Sequence, residues 1–119
     1  MAKWIGVDFD GTLAKSSGRT GAPLGKPVPG MIDRVRGWLD DGRKVRIFTA
    51  RADSPSERYR ITEWLKDHGL PALPITNRKD SDMVELWDDR AIRVQHNQGE
   101  PCSGCGAASQ FSCSYATNC

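Results

Sequence analysis

Four aspartates set the chemistry this sequence can offer. Asp8 and Asp10 flank Phe9 directly after a short apolar run, and Asp88 and Asp89 stand side by side after another. In extended backbone, residues two apart share a side, so the Asp8 and Asp10 carboxylates converge while Phe9 turns into the packed interior. Thr49 closes a third apolar run and adds a hydroxyl. If the three runs are parallel strands of one sheet, their ends emerge on a single edge, and ligands of such sheets bind beyond the carboxyl ends of the strands. Carboxylates crowded into one small volume repel each other unless a hard cation sits among them. Mg²⁺ takes oxygen ligands at ~2.0–2.1 Å and keeps several waters that a phosphate can displace. The charge pattern therefore predicts Mg²⁺ among Asp8, Asp10, Asp88 and Asp89.

The elements that would position these groups alternate. Residues 3–8 form a β-rich apolar run ending at an acidic, glycine-containing turn. Residues 14–30 hold too many glycines and prolines for a packed element and are expected to lie over or beside whatever the first strand delivers. Met31, Val35, Trp38 and Leu39 recur at the spacing of one buried helical face, and Gly42 stands where a C-terminal cap belongs. Residues 44–49 read as a second strand. Ser54-Pro55-Ser56-Glu57 is a capping box with proline at the first helical position, followed by the apolar face Ile61, Trp64, Leu65 and His68 and by Gly69. Residues 73–76, 84–88 and 91–95 are further short strands. Strands alternating with helices predict a Rossmann-like α/β domain, a mainly parallel sheet with helices on both faces.

The motifs Asp8-Phe9-Asp10-Gly11-Thr12-Leu13, Ile47-Phe48-Thr49-Ala50-Arg51, Lys79 and Trp87-Asp88-Asp89-Arg90 stand in the order and context of the four motifs of the haloacid dehalogenase superfamily. The sequence resembles its small phosphatase-like members over about residues 3–97. The first motif is specific; the lone Thr and lone Lys gain meaning only from the set. The resemblance implies that Asp8 is the nucleophile, forming an aspartyl-phosphate, and that Asp10 is the general acid and then base, its backbone carbonyl also ligating the metal. It implies that Thr49 hydrogen-bonds the phosphoryl oxygens together with Gly11, Thr12, Ala50 and Arg51, and that Lys79 offsets the charge of Asp8 and the phosphate. Asp89 is expected to ligate Mg²⁺ directly and Asp88 to hold a metal-bound water; the reverse order is the alternative. An aspartate at position 10 favours phosphatases over dehalogenases and ion-pumping ATPases in this superfamily. The 38 residues between Asp10 and Thr49 and the 29 between Thr49 and Lys79 leave no room for a cap domain. A capless site is open to solvent or is closed by a partner protein or a second copy, and it admits a phosphorylated small molecule, a nucleotide or a phosphorylated nucleic-acid end. The competing expectation is a non-catalytic phospho-acceptor or Mg²⁺/phosphate-binding module. Receiver domains use similar groups, but with the acceptor on the third strand, an order this chain does not follow.

With 119 residues and a net charge of +2, the chain has material for one core and no charge excess that identifies a partner. Lys15, Arg19 and Lys26 share one loop, and Arg51, Arg58 and Arg60 lie in and after another; either group can draw in an anion, though solvated surface charge is the commoner role. No apolar run approaches the ~20 residues of a membrane span. Aspartates stand where a secretory signal would be apolar, so a cytoplasmic location is expected. Composition breaks near Gly99: residues 100–119 carry Glu100 as their only charged side chain, all four cysteines and mostly small polar residues. Residues 1–99 therefore read as the domain and 100–119 as a disordered tail, dispensable for catalysis. Cys102 and Cys105 have the spacing of half a zinc site, but Cys113 and Cys119 lack the close pairing of the other half.

Overall fold

The computed structural model describes residues 2–16 and 23–102. The chain divides into two compact units, Met1–Asp89 and Arg90–Cys119. In the first, β1 (Trp4–Val7), α1 (Pro29–Asp40), β2 (Lys44–Phe48), a 3₁₀ turn (Ala50–Asp53), α2 (Pro55–Asp67), β3 (Ile75–Thr76) and β4 (Met83–Trp87) follow one another. All strands are parallel, in the order β3-β2-β1-β4. This is a small α/β fold with a four-stranded parallel sheet.

β1 runs through the middle, and all four of its residues are buried. Ile5, Val7, Val45 and Ile47 share one cluster with Ile32 and Val35 of α1 and with Ile61, Trp64 and Leu65 of α2. Alternation along a strand puts those four β residues on one face. Both helices therefore cover that same face, which corrects the expectation of helices on both faces. The reason is topological. The connections from β1 to β2 and from β2 to β3 step in one direction, and two right-handed crossovers in one direction land on the same side. The return from β3 to β4 crosses the opposite face, and only residues 77–82 make it. Asp80 anchors this crossing: it accepts a hydrogen bond from Trp4 Nε1 at 2.9 Å and lies 3.7 Å from Arg46, whose guanidinium stacks over the Trp4 ring at 4.5 Å.

Local chemistry decides the element ends. Ser54 Oγ accepts from the Glu57 N–H and caps α2. Only half of the expected capping box forms, because the Glu57 side chain turns to arginines. Gly42 and Gly69 take positive φ where α1 and α2 stop. Residues 73–76 shorten to the two-residue edge strand β3, since Pro74 has no N–H for a ladder and contributes only its carbonyl, to Ile47. In the glycine-rich loop, Lys15 N–H bonds the Lys26 carbonyl and Ala14 bridges Pro27, forming an antiparallel stem. Trp64 Nε1 ties this stem to α2 through the Gly25 carbonyl at 2.8 Å. Phe9 is buried and meets Trp64 edge to face at 4.9 Å, as its position between two aspartates required.

The predicted strand at 91–95 does not join the sheet. In the second unit Val94 bridges Pro101, Gln95 N–H bonds the Glu100 carbonyl, and Cys102 N–H bonds the Arg93 carbonyl. The turn between is shaped by Asn97 and Gly99 at positive φ. Ile92 and Val94 stay about half exposed, so the alternation there serves a local turn and not a buried sheet. Cys102 is buried, and its Sγ accepts from the Arg93 guanidinium at 3.0 Å. Arg19, Cys105, Cys113 and Cys119, with the expectations attached to them, lie outside the described residues.

Candidate metal and phosphate site

The register of the sheet brings the acidic residues together. Val7 pairs with Ile47 on one side and with Trp87 on the other, and Asp8 N–H bonds the Trp87 carbonyl at 2.8 Å. Asp8, Thr49 and Asp88 therefore leave the sheet at one edge. Strand order reverses between β1 and β4, the place where an open parallel sheet splits its connections and leaves a crevice. Asp8 and Asp88 flank that reversal.

One carboxylate oxygen from each of Asp8, Asp88 and Asp89 lies within 4.8 Å of the other two. Thr12 ties two of these groups together. Its Oγ1 accepts from the Asp89 N–H at 3.0 Å and lies 3.3 Å from both Asp8 Oδ2 and Asp89 Oδ1. One hydroxyl proton serves only one of them at a time, and 3.3 Å is long for such a bond. Asp8 and Asp89 thus share one weak donor. Burial, the charge of Asp88 and a hydrogen bond with Asp89, in that order, push the Asp8 carboxyl from its ordinary 3.8 up to about 7, against the lowering effect of the Phe9 backbone.

Gly11 makes the close approach feasible. Its φ of +88° suits glycine, and a Cβ there would stand 2.5 Å from Asp89 Oδ2. The donor set is all oxygen and anionic, the preference of a hard divalent cation. Two ligands of one octahedral ion at such bond lengths lie ~3–4 Å apart, so the observed spread fits a single shared ion after small adjustments. This cluster can hold a divalent metal.

The other expected site residues divide. Asp10 does not point its carboxylate into the cluster: Arg51 grips both of its oxygens, Nε to Oδ2 at 2.7 Å and Nη2 to Oδ1 at 3.0 Å. Arg51 Nη1 reaches Glu57 Oε1 at 2.8 Å, and Arg60 closes on Glu57 at 3.0 Å. Beside Asp10, first of all, and Glu57, the Arg51 guanidinium is held above its already high pKa. Thr49 is buried, and its hydroxyl accepts from the Arg51 N–H at 3.2 Å, so it caps the 3₁₀ turn. Ala50 is exposed in that turn. Lys79 is exposed within the 77–82 crossing, one residue before the anchored Asp80. Glu57, 7% exposed, is the residue that sequence reasoning used only as a helix cap; an acid three residues after a capping serine carries no sign of a distant guanidinium.

The intervals between the expected motifs hold, among the described residues, only the antiparallel stem, α1, β2, the 3₁₀ turn, α2 and β3. No helix among the described residues is long and apolar enough to cross a membrane.

A solved structure described as a conserved protein from Bacteroides thetaiotaomicron is similar, with a TM-score of 0.59 and 20% identity over 76% of this chain and 78% of that one. At that identity the likeness shows the fold alone. No protein-family model and no curated protein sequence matches the chain.

Proposed function

We propose that this chain is a Mg²⁺-dependent phosphomonoesterase of the haloacid dehalogenase type, capless, working through an aspartyl-phosphate on Asp8. The observation that carries the proposal is the meeting of Asp8, Asp88 and Asp89, from strands 80 residues apart in sequence, on one sheet edge with their oxygens close enough to share an ion. Asp8, Asp88 and Asp89 would hold the metal, which when bound supplies charge neutralisation for an anionic nucleophile meeting an anionic phosphate. An Asp8 oxygen attacks phosphorus, and the bond from phosphorus to the leaving oxygen breaks. The leaving oxygen takes a proton from the Asp10 carboxyl. Water then attacks the phosphorus, gives a proton back to Asp10, and releases Asp8 and inorganic phosphate.

Gly11 and Thr12 lie beside Asp8, but their N–H groups bond the Ala14 and Phe9 carbonyls, so the Thr12 hydroxyl, 3.3 Å from Asp8 Oδ2, is the donor this turn would offer a phosphoryl oxygen. Lys79 belongs to the same proposal, as the cation that approaches when phosphate is bound. Substrates would be phosphorylated small molecules, nucleotides or nucleic-acid ends, with the open edge left bare or covered by a partner or a second copy. A direct test is phosphate release from 4-nitrophenyl phosphate by the full chain, with Asp8→Asn as blank. Activity is expected with Mg²⁺, to be lost with EDTA and to return on adding Mg²⁺. Turnover unchanged by chelator, or equal turnover by Asp8→Asn, removes the proposal.

A further inference from the structure

Asp10 and Glu57 share a guanidinium. Arg51 commits three of its five N–H donors to them, two to Asp10 and one to Glu57, and its side chain is only 10% exposed. A planar fork held at both ends cannot turn without breaking charged bonds. Glu57 is fixed in its turn. Its side chain is 9% exposed, Arg60 grips it from one helical turn along, and its own N–H bonds the capping Ser54 hydroxyl. The Arg51 N–H is seated on Thr49 Oγ1. A continuous line of bonds thus runs from the first turn of α2 through Glu57 and Arg51 to the Asp10 carboxylate. The Arg51 donors that these carboxylates take are not open to a phosphate.

We propose that Glu57 and Arg51 are positioning residues: Glu57 fixes Arg51, and Arg51 fixes the Asp10 carboxylate, so that the pair governs proton delivery to the leaving oxygen and not phosphate binding. This rests on the phosphatase reading above, and it reassigns Arg51 from the phosphate-binding role that the motif suggested. The proton in question leaves the Asp10 carboxyl for the departing oxygen and is regained from the attacking water.

Leaving groups separate the two roles. A nitrophenolate departs without a proton, whereas an alkoxide needs one, so damage to proton delivery slows alkyl phosphates selectively. The experiment compares full-chain wild type, Asp10→Asn, Arg51→Lys, Arg51→Met and Glu57→Gln on 4-nitrophenyl phosphate and on a simple alkyl phosphate. Thermal melts are used to confirm folding. Relative to wild type, the alkyl-to-nitrophenyl ratio of kcat/KM, which reports the steps up to departure of the leaving group and not the later hydrolysis common to both substrates, is expected to fall about 100-fold in Asp10→Asn and Arg51→Met and about 10-fold in Glu57→Gln. Arg51→Lys keeps the charge but not the fork, and should fall between the two arginine extremes. If Arg51→Met fails to fold, Arg51→Lys and Glu57→Gln decide the matter. Equal loss of kcat/KM on both substrates overturns the positioning role and leaves the phosphatase reading standing. A wild-type chain that hydrolyses neither substrate removes both together.

Discussion

Two groups of acids sit within a few residues of each other on this sheet edge and are treated in opposite ways. Asp10 and Glu57 are neutralised inside the protein by Arg51 and Arg60, with contacts of 2.7–3.1 Å. Asp8, Asp88 and Asp89 crowd together with a shared threonine hydroxyl between two of them. Residue type is the same in both. The difference lies in the neighbours: guanidinium groups bond Asp10 and Glu57, whereas Asp8 and Asp89 share a threonine hydroxyl and lie against other carboxylates. An all-oxygen, anionic cluster of this kind can hold a divalent cation.

The comparison breaks most visibly if the internal pairing is removed. Glu57→Ala leaves the Arg51 guanidinium short of a buried partner, and the expected loss is about 3 kcal/mol of folding free energy. Chemical denaturation should show it as a lower midpoint at unchanged slope; a loss below ~1 kcal/mol would mean the pair is solvated after all. Next in size, Gly11→Ala places a methyl group against Asp89 at a φ of +88°. The strain costs about 1–2 kcal/mol, and the displaced carboxylate should weaken Mg²⁺ binding in calorimetry. Unaltered Mg²⁺ affinity would separate Asp89 from the metal.

The remaining comparison concerns pH. Because the folded-state pKa of Asp8 is raised from 3.8 to about 7, the folded chain holds a proton there that the unfolded chain has lost between these values. The stability it contributes is full below pH ~4 and disappears as pH rises through ~7. The metal-free protein is therefore expected to melt at a lower temperature at pH 8 than at pH 5. Mg²⁺ should raise the melting temperature more at pH 8, and Asp8→Asn should flatten the profile. A profile that rises from pH 5 to pH 8 in metal-free wild type would reverse the sign and deny the crowding.

Local pattern carried much of this. The apolar runs and the polar residues that end them marked β1, β2 and β4, and Ser54-Pro55 marked the first residue of α2. From strand ends alone, Asp8, Asp88 and Asp89 could be placed on one edge, because parallel register is a consequence of the βαβ connection. What escaped depends on contacts far apart in sequence. Asp10 and Arg51 are 41 positions apart, and nothing local distinguishes an aspartate destined for a metal from one destined for a guanidinium. Helices on both faces was a habit of larger doubly wound sheets; here the third connection is too short for a helix. Residues 91–95 alternate like a strand, yet they turn back on 100–102. Ile32, buried on α1, stood one place beside Met31, the residue that the spacing had singled out.

The antiparallel stem after Leu13 has its root fastened twice, by the Lys15–Lys26 hydrogen bond and by the Trp64 indole on the Gly25 carbonyl. A chain whose ends are already joined pays little to grow between them, ~0.6 kcal/mol for each doubling of length. Insertions between Lys15 and Lys26 are therefore expected to cost little folding free energy, which makes this stretch a place to graft new selectivity onto an otherwise unaltered scaffold.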